Sequence, residues 1–316
     1  QAPVLTTFEG KGAISDKHYL SIGTPQGRST GSSKDPLRDF FYTCDVILAV
    51  GTRFAKAEAK PSQQVVQIDV DLKEIGRNHK KTFGILADAR IALTQLLKTI
   101  KSKTKSKTNQ RNFFEKMKLN RYNNRATQVE PLWSYVQALR NAIPHDGILV
   151  TDMTSIAYYS RVYYHTYIPR SYFTSSYSGN LGSAFPTSLG VKIAKPKQTV
   201  VSISGDGGFL FNSQELATAV QFGINVIAVV FNDSAYGNVK RDMKEMFNNK
   251  NLGSDLINPD FVKLADSYGV AGFRVNSPKS LEETLKKAIT LNKTALIEVS
   301  IGETLSPFIV EMATKD

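Results

Sequence analysis

The stretch SISGDGGFLFNSQELATAVQFGINVIAVVFNDSAYGN, residues 202–238, decides the fold of this chain. It holds two apolar runs, and each run ends in an aspartate, Asp206 among glycines and Asp233 before SAYG. One helix's worth of residues separates the runs, which is typical of a right-handed βαβ unit with parallel strands. Both aspartates are therefore expected at the carboxyl edge of one sheet, where α/β proteins bind ligands.

Two carboxylates at neighbouring strand ends can coordinate one hard cation, and oxygen ligands of this kind suit magnesium. The glycines of GDGG lack side chains, so their backbone N–H groups can approach a phosphate at the entry to a helix expected near Asn212. We interpret the two motifs as a phosphate-plus-magnesium site. The simpler alternative is a tight turn in which Asp206 caps a helix, but it leaves the NDSAYG motif unexplained.

The alternation of strand and helix patterns in the remainder of the sequence predicts an α/β protein. We expect two doubly wound, mainly parallel sheets that carry helices on both faces. Before residue 98, buried parallel strands are expected at APVLTTF, DVILAVG and QQVVQIDV. After residue 128, short apolar strands such as TVVSISG alternate with amphipathic helices such as PKSLEETLKKAITL. We predict a middle domain over 1–97, incomplete at its N-terminus, a basic linker over 98–128 and a ligand-binding domain over 129–316.

The net charge of +12 is concentrated in the linker, where residues 98–128 carry ten Lys or Arg and one acidic residue. This segment is polar, and we predict that it is exposed with one short helix at most. The alternative is a nucleic-acid arm, but aromatic residues for base stacking are sparse, so no nucleic-acid partner is predicted.

Other compositional features narrow the class of protein. No apolar run reaches the roughly 20 residues of a membrane span, so no membrane partner is predicted. The single cysteine, Cys44, excludes an intramolecular disulfide and favours a reducing, cytoplasmic location.

The GDG motif, followed after about 25 residues by Asn-Asp, resembles the signature of thiamine diphosphate-dependent enzymes. The surrounding sequence resembles the acetolactate synthase, pyruvate oxidase and benzoylformate decarboxylase group. PVLTTFEGKGAI, DVILAVGTRF and VVQIDVDLKEIGRN are similar to its middle domain, whereas VTDMTSIAYY and GNLGSAFPTSLGVKIA are similar to its diphosphate-binding domain. The resemblance implies thiamine diphosphate and Mg²⁺ as cofactors and a 2-oxo acid as the substrate for decarboxylation or carboligation.

The resemblance also implies roles for individual residues. Asp206, Asp233 and the backbone carbonyl of Ala235 match the metal ligands, although the family usually has Asn at the position of Asp233. Gly207 and Gly208 match backbone donors to the diphosphate. The remaining residues of the predicted cofactor site are Ser155, Gly179, Leu181, Gly205, Tyr236 and Gly237.

Two of these residues match positions that act on the reactive end of the cofactor. Leu181 falls at the bulky apolar residue that holds the cofactor in a bent conformation, and core packing is its alternative role. Gly179 falls where a backbone carbonyl accepts a hydrogen bond from the amino group of the pyrimidine. The resemblance thus marks Leu181 and Gly179 as the catalytic candidates.

Three departures from the family pattern bear on activity. The family's catalytic glutamate lies in an N-terminal pyrimidine domain, which we expect to come from upstream sequence or another chain, so residues 1–316 are expected to be a fragment that is inactive alone. Asn238 replaces the usual Met, and Asp242 replaces a Trp of acetolactate synthases. A non-catalytic cofactor-binding or regulatory relative is therefore the alternative function.

The resemblance further implies a homodimer or homotetramer. Relatives bind FAD or ADP in the middle domain or bind nothing there; the strand QQVVQIDV could present such a site, but the sequence lacks GxGxxG. Asp152 ends the strand GILVTD at the expected active edge and is an additional candidate. We interpret the aromatic run YYSRVYYHTY as packing at a subunit interface, and the four histidines, including His165, as surface residues.

Overall fold

The structure is a computed structural model, and it describes residues 2–25, 36–55, 59–101, 110–126, 129–175, 178–248 and 250–304. The first part of the chain forms strands β1 (Val4–Leu5), β2 (Ser21–Gly23), β3 (Val46–Val50), β4 (Gln64–Asp69) and β5 (Thr82–Leu86), with helices α1 (Pro36–Phe41), α2 (Ala89–Lys101) and α3 (Arg111–Ala126).

The second part forms strands β6 (Ile148–Thr151), β7 (Tyr172–Thr174), β8 (Val200–Gly205), β9 (Ile227–Asn232), β10 (Ala271–Val275) and β11 (Ala295–Ser300). Its helices are α4 (Leu132–Ala142), α5 (Ser155–Tyr163), α6 (Ala184–Ala194), α7 (Asp206–Leu210), α8 (Glu215–Gln221), α9 (Gly237–Met246), α10 (Phe261–Ser267) and α11 (Pro278–Leu291). Within the described ranges, no helix is both long and apolar enough to cross a membrane.

A six-stranded sheet in the order β10-β11-β9-β8-β6-β7 organises the second part of the chain. All its strand pairs are parallel. Strand β7 lies on one side of β6 and β8 lies on the other, so the direction of winding reverses at β6. Ligands of open α/β sheets bind outside the carboxyl ends of strands beside such a reversal.

Both faces of this sheet are buried, because alternate residues of each strand point into different cores. On β8, Val201 and Ile203 belong to the core that α4, α5 and α11 cover. Val200 belongs to the opposite core, which α6, α7, α8 and α10 cover. Continuous apolar runs such as TVVSIS are typical of strands buried on two faces. The predicted α/β class with parallel sheets and helices on both faces is confirmed.

The first part of the chain departs from the expected single sheet of buried strands. Strands β3, β4 and β5 form a parallel three-stranded sheet. Strand β1 has only two residues and pairs with β2 in a separate two-stranded sheet. The prediction that DVILAVG is buried was wrong for one face of β3, since Val46 is 55% and Leu48 is 44% exposed. An apolar run alone does not show whether this chain covers both faces of the strand.

The basic segment is more ordered than the predicted exposed linker with one short helix. Helix α3 has 16 residues, and Phe114 and Met117 are buried in a cluster with Ile22 and Leu37. The high density of positive charge predicted an exposed segment. Phe114 and Met117 are three residues apart, however, and therefore share one face of a helix that can be buried. Residues 102–109 and 127–128 lie outside the described part, and the boundaries of the linker stay a prediction.

The aromatic run after β6 packs inside this chain. Tyr159 and Tyr164 are fully buried in the core that α5 shares with α4, which contradicts the predicted role of these side chains at a subunit interface. His165 is half-buried and not an exposed surface residue, and burial lowers its pKa to about 4. The 3.6-residue period of the helix turns these rings toward the sheet.

Candidate functional site

Strands β8 and β9 are direct neighbours in the sheet, with Gly205 opposite Phe231. Each strand delivers one aspartate to the same edge, Asp206 immediately after β8 and Asp233 immediately after β9. The expectation from the sequence that both aspartates end adjacent parallel strands is confirmed.

A short helix, α7, precedes the helix that the sequence predicted near Asn212, which the structure has as α8 over Glu215–Gln221. Gly205 is extended, with φ −77° and ψ 163°, and it precedes the short helix α7, which starts at Asp206 itself. This additional helix places the backbone N–H groups of the GDGG motif in a first helical turn, where they have no partners within the helix.

One cavity of about 280 Å³ lies at this edge of the sheet. All eleven residues of the predicted cofactor site line it, and these are Ser155, Gly179, Leu181, Gly205, Asp206, Gly207, Gly208, Asp233, Ala235, Tyr236 and Gly237. The volume is close to the lower end of the range for small-molecule sites. The structure thus brings the predicted residues together, while their roles in binding stay predictions.

The cavity wall is close-packed at the glycines. A Cβ atom on Gly207 would lie 2.5 Å from Cε1 of Tyr236 and 2.9 Å from Cδ1 of Leu256. A Cβ atom on Gly205 would lie 3.2 Å from Oγ1 of Thr154. Glycine at these positions keeps the wall formed by backbone atoms, which is the arrangement that phosphate-binding loops require.

Burial and mutual repulsion disfavour two negative charges at this site. Burial raises the pKa of Asp206, although a hydrogen bond from Asn258 and backbone N–H groups oppose the change. Burial and then the charge of Asp206 raise the pKa of Asp233 to about 6. A divalent cation between the carboxylates would relieve both effects.

The side chains around the pair suit a hard cation that other groups also coordinate. Among the described residues, no group of three or more His, Cys, Asp or Glu side chains is placed to hold a metal. Asp206 and Asp233 are the carboxylates in the cavity wall. Mg²⁺ commonly takes one or two carboxylates and completes its shell with phosphate oxygens and water, so the residues present fit Mg²⁺ bound together with a diphosphate.

Asn258 is a residue of this site that the sequence analysis missed. Its Nδ2 donates to Oδ2 of Asp206 at 2.6 Å and to Oδ1 of Asn232 at 2.9 Å. Asn232 in turn donates to Glu298 at 2.8 Å, a side chain that is almost fully buried. The chain of hydrogen bonds fixes the orientation of the Asp206 carboxylate.

A backbone bridge explains how Asn258 reaches the site. Ala235 and Asp255 form an isolated antiparallel pair, in which Tyr236 N–H donates to the carbonyl of Ser254 and Leu256 N–H donates to that of Ser234. The loop after α9 therefore returns alongside the NDSAYG motif. In the sequence, Asn258 carries no local signal beyond its place shortly before a helix.

Asp152 holds the loop that carries Gly179 and Leu181. It is fully buried, and its two oxygens accept from the backbone N–H groups of Met153 at 2.8 Å and Gly182 at 2.9 Å. Asp152 does not line the cavity, so its place in the structure is that of a support. Leu181 is 38% exposed, which contradicts core packing as its role.

One part of the cavity wall is polar. Asn238 lines the cavity, and its Oδ1 accepts from the guanidinium of Arg241. Arg241 is buried and also donates to the carbonyl of Thr304 at 3.1 Å. Tyr158 of α5 lines the same side. Asp242 is an exposed residue of α9.

Two family models match the chain. The central domain of thiamine pyrophosphate enzymes matches residues 1–96, and the C-terminal domain that binds thiamine pyrophosphate in these enzymes matches residues 152–299. The second match contains all eleven residues that line the cavity and were predicted from the sequence.

Curated proteins give the same result. The chain is 32% identical over 319 aligned residues to a probable acetolactate synthase large subunit of Methanocaldococcus jannaschii, covering 95% of this chain and 53% of that protein. It is 27% identical to the large subunit of acetolactate synthase isozyme 3 of Escherichia coli, covering 95% and 54%. The chain spans about half the length of the curated relatives it matches.

Proposed function

Since the chain belongs to the family of thiamine pyrophosphate enzymes, we propose that it acts in a thiamine diphosphate- and Mg²⁺-dependent enzyme. The proposed reaction is decarboxylation or carboligation of a 2-oxo acid, like that of an acetolactate synthase. One observation carries the proposal, namely that the eleven residues chosen from the motifs line a single cavity at the ends of β8 and β9.

Asp206, Asp233 and the backbone carbonyl of Ala235 would hold the Mg²⁺. The raised pKa values of both carboxyls support this assignment, because a bound cation offsets the burial of negative charge. Asp233 adds one negative charge where the family usually has Asn. Metal and diphosphate should therefore depend strongly on each other for binding.

Gly207 and Gly208 would donate backbone N–H groups to the diphosphate, with Ser155 of α5 as a further polar contact. Gly205, Tyr236 and Gly237 complete the wall around it. The absence of side chains at the glycines allows the close approach that charge-assisted hydrogen bonds to phosphate require.

Leu181 and Gly179 would position the reactive end of the cofactor. Leu181 presents an exposed apolar side chain at the cavity, as a residue that supports a bent cofactor must. Gly179 has φ +68°, a conformation that favours glycine, and its carbonyl is assigned to the amino group of the pyrimidine. Thiamine diphosphate supplies the chemistry of carbon–carbon bond cleavage when bound.

The substrate end of the site argues for a 2-oxo acid enzyme other than a specific acetolactate synthase. Asn238 and its partner Arg241 make this end polar, and the tryptophan typical of acetolactate synthases is replaced by the exposed Asp242. The identity of the 2-oxo acid and of any acceptor is to be found by a substrate screen.

Other parts of the proposal concern partners and location. The family's glutamate-bearing pyrimidine domain would come from sequence outside residues 1–316 or from another chain, within a homodimer or homotetramer. The lone Cys44 supports a cytoplasmic location. FAD or ADP at the end of β4 stays a prediction, which the visible absorbance and the extracted nucleotide of the purified protein will check.

Calorimetry tests the cofactor site directly. Thiamine diphosphate should bind to the intact protein only when Mg²⁺ is present, and Asp206→Ala should abolish this binding without unfolding the protein. Asp266→Ala, at an exposed position of α10, is the matched control and should bind normally. Unchanged affinity in Asp206→Ala would refute the assignment.

Carbon dioxide release tests the enzyme against the non-catalytic alternative. The intact protein with saturating thiamine diphosphate and Mg²⁺ is expected to turn over at least one member of a panel of 2-oxo acids. Residues 1–316 alone are expected to be inactive, because general acid–base help of the kind a glutamate gives is typically worth about 10²–10⁴-fold. If the intact protein binds thiamine diphosphate normally but turns over no 2-oxo acid of the panel, the result favours the alternative of a non-catalytic cofactor-binding protein.

A further inference from the structure

A second cavity, remote in the sequence from the thiamine diphosphate site, lies where α3 and β2 meet the end of α5. Its volume is about 20 Å³, and its titratable lining residues are Lys11, Asp16, Lys118, Arg121 and His165. A space of this size holds about one water molecule or one monatomic ion.

Positive charge is in excess around this cavity. Three cationic side chains face one carboxylate, and the Asp16 oxygens already accept from the hydroxyl of Ser21 and the N–H of Thr166, each at 2.8 Å. Lys118 donates to the carbonyls of Asp16 and His18. Within the described residues, no ion pair joins Asp16 to Lys11 or to Lys118.

Lys11 is the group whose charge is left without a polar partner. It is 7% exposed, and its ammonium lies 5.5 Å from the ring centroid of Tyr172. No hydrogen bond or ion pair to the ammonium is found in the part of the chain that the structure describes. Burial lowers the pKa of Lys11 to about 8, while the charge of Asp16 opposes this change and the charge of Arg121 adds to it.

We propose that this cavity binds a monatomic anion such as chloride, with the Lys11 ammonium as its principal ligand. A buried cation is costly unless it is paired and hydrogen-bonded. An anion beside Lys11 supplies both the charge and the acceptor, and it reduces the repulsion between Lys11 and Arg121. The small volume selects a halide over a polyatomic anion.

The anion would join parts of the chain that are distant in sequence. Lys11 lies in the loop after β1, Arg121 lies on α3, and His165 follows α5, which carries Ser155 at the cofactor cavity. Anion binding should therefore stabilise the packing of α3 and β2 against the cofactor-binding part of the chain.

Thermal unfolding of the intact protein tests the proposal. Sodium chloride or sodium bromide is compared with sodium gluconate at equal ionic strength and pH, using wild type, Lys11→Met and Lys197→Met. Lys197 is exposed, so its variant controls for the loss of one positive charge. The halides should raise the midpoint of wild type and Lys197→Met by about 2–4 °C relative to Lys11→Met.

Two outcomes would overturn the proposal, either no halide-dependent rise in wild type or an equal rise in Lys11→Met. If Lys11→Met does not fold, crystals of the wild-type protein grown in bromide decide the matter. An anomalous peak within hydrogen-bonding distance of Lys11 Nζ supports the proposal. A cavity without such a peak refutes it.

Discussion

Replacing Asn258 by alanine tests whether a side chain that is hydrogen-bonded to a proposed metal ligand affects Mg²⁺ affinity. Asn258 donates to Asp206 at 2.6 Å and to Asn232 at 2.9 Å. Its removal leaves the buried Asp206 carboxylate without a charge-assisted hydrogen bond, an interaction worth about 1.5–3 kcal/mol. Because this bond opposes the effect of burial on the pKa of Asp206, its loss should also favour the protonated carboxyl, which coordinates Mg²⁺ poorly.

The expected result is a loss of Mg²⁺ affinity of about 10–100-fold, the range observed when outer-shell partners of metal ligands are removed. At about 1.4 kcal/mol per tenfold, this range equals about 1.4–2.8 kcal/mol and agrees with the hydrogen-bond figure.

The assay is calorimetric titration of Mg²⁺ into the intact protein at saturating thiamine diphosphate. Asn251→Ala, at an exposed position in the same loop, is the control and should bind as wild type does. Thermal unfolding without metal separates a binding defect from a folding defect. If Asn258→Ala binds Mg²⁺ within twofold of wild type, the orienting role of Asn258 is wrong.

Two further predictions concern acid stability and the cavity wall. Burial lowers the pKa of His165 from 6.5 to about 4; the charges of Lys11 and Lys118 add to this change and the charge of Asp16 opposes it. Between these two pH values the unfolded chain binds a proton that the folded chain does not bind. The free energy of unfolding should therefore decrease as the pH falls from about 6.5 to 4, by at most about 3 kcal/mol. Urea unfolding in gluconate buffer should show that His165→Gln flattens this dependence and that His145→Gln, at an exposed position, does not; parallel curves for all three proteins would contradict it. Gly207→Ala should cost about 1–3 kcal/mol and weaken thiamine diphosphate binding at least tenfold, since its Cβ would press against Tyr236 and Leu256. Gly190→Ala is the control, because a Cβ on Gly190 in α6 meets nothing within 4 Å and should stabilise the helix by about 0.5–1 kcal/mol; equal calorimetric affinities of the two variants would show that the wall tolerates a methyl group.

The sequence alone determined the architecture around the proposed site. Apolar runs buried on both faces specify parallel strands, and the short helical crossover between the runs that end at Gly205 and Asn232 makes those strands neighbours. Strand ends and turns are local properties, so the positions of Asp206, Asp233 and the glycines follow from short stretches of sequence.

The first part of the chain was predicted less well. An apolar pattern shows that residues such as Val46 and Leu48 can be buried, but exposure depends on which other elements cover the sheet. In the basic segment, the burial of Phe114 depends on the distant residues Ile22 and Leu37. Neither the exposure of Val46 and Leu48 nor the burial of Phe114 follows from the spacing of apolar residues within the segment itself.

Only the tertiary structure decided which distant polar groups meet. Asn258 contacts Asp206 across 52 positions of sequence, Asp152 holds Gly182 across 30, and Lys11 shares a cavity with Arg121 and His165. Hydrogen bonds and charges act over a few ångströms in space and carry no periodic signal along the chain. The sequence therefore specified the strands and the residues that end them, while the packing of loops and helices around those strands determined the contacts that orient the carboxylates and bury Lys11.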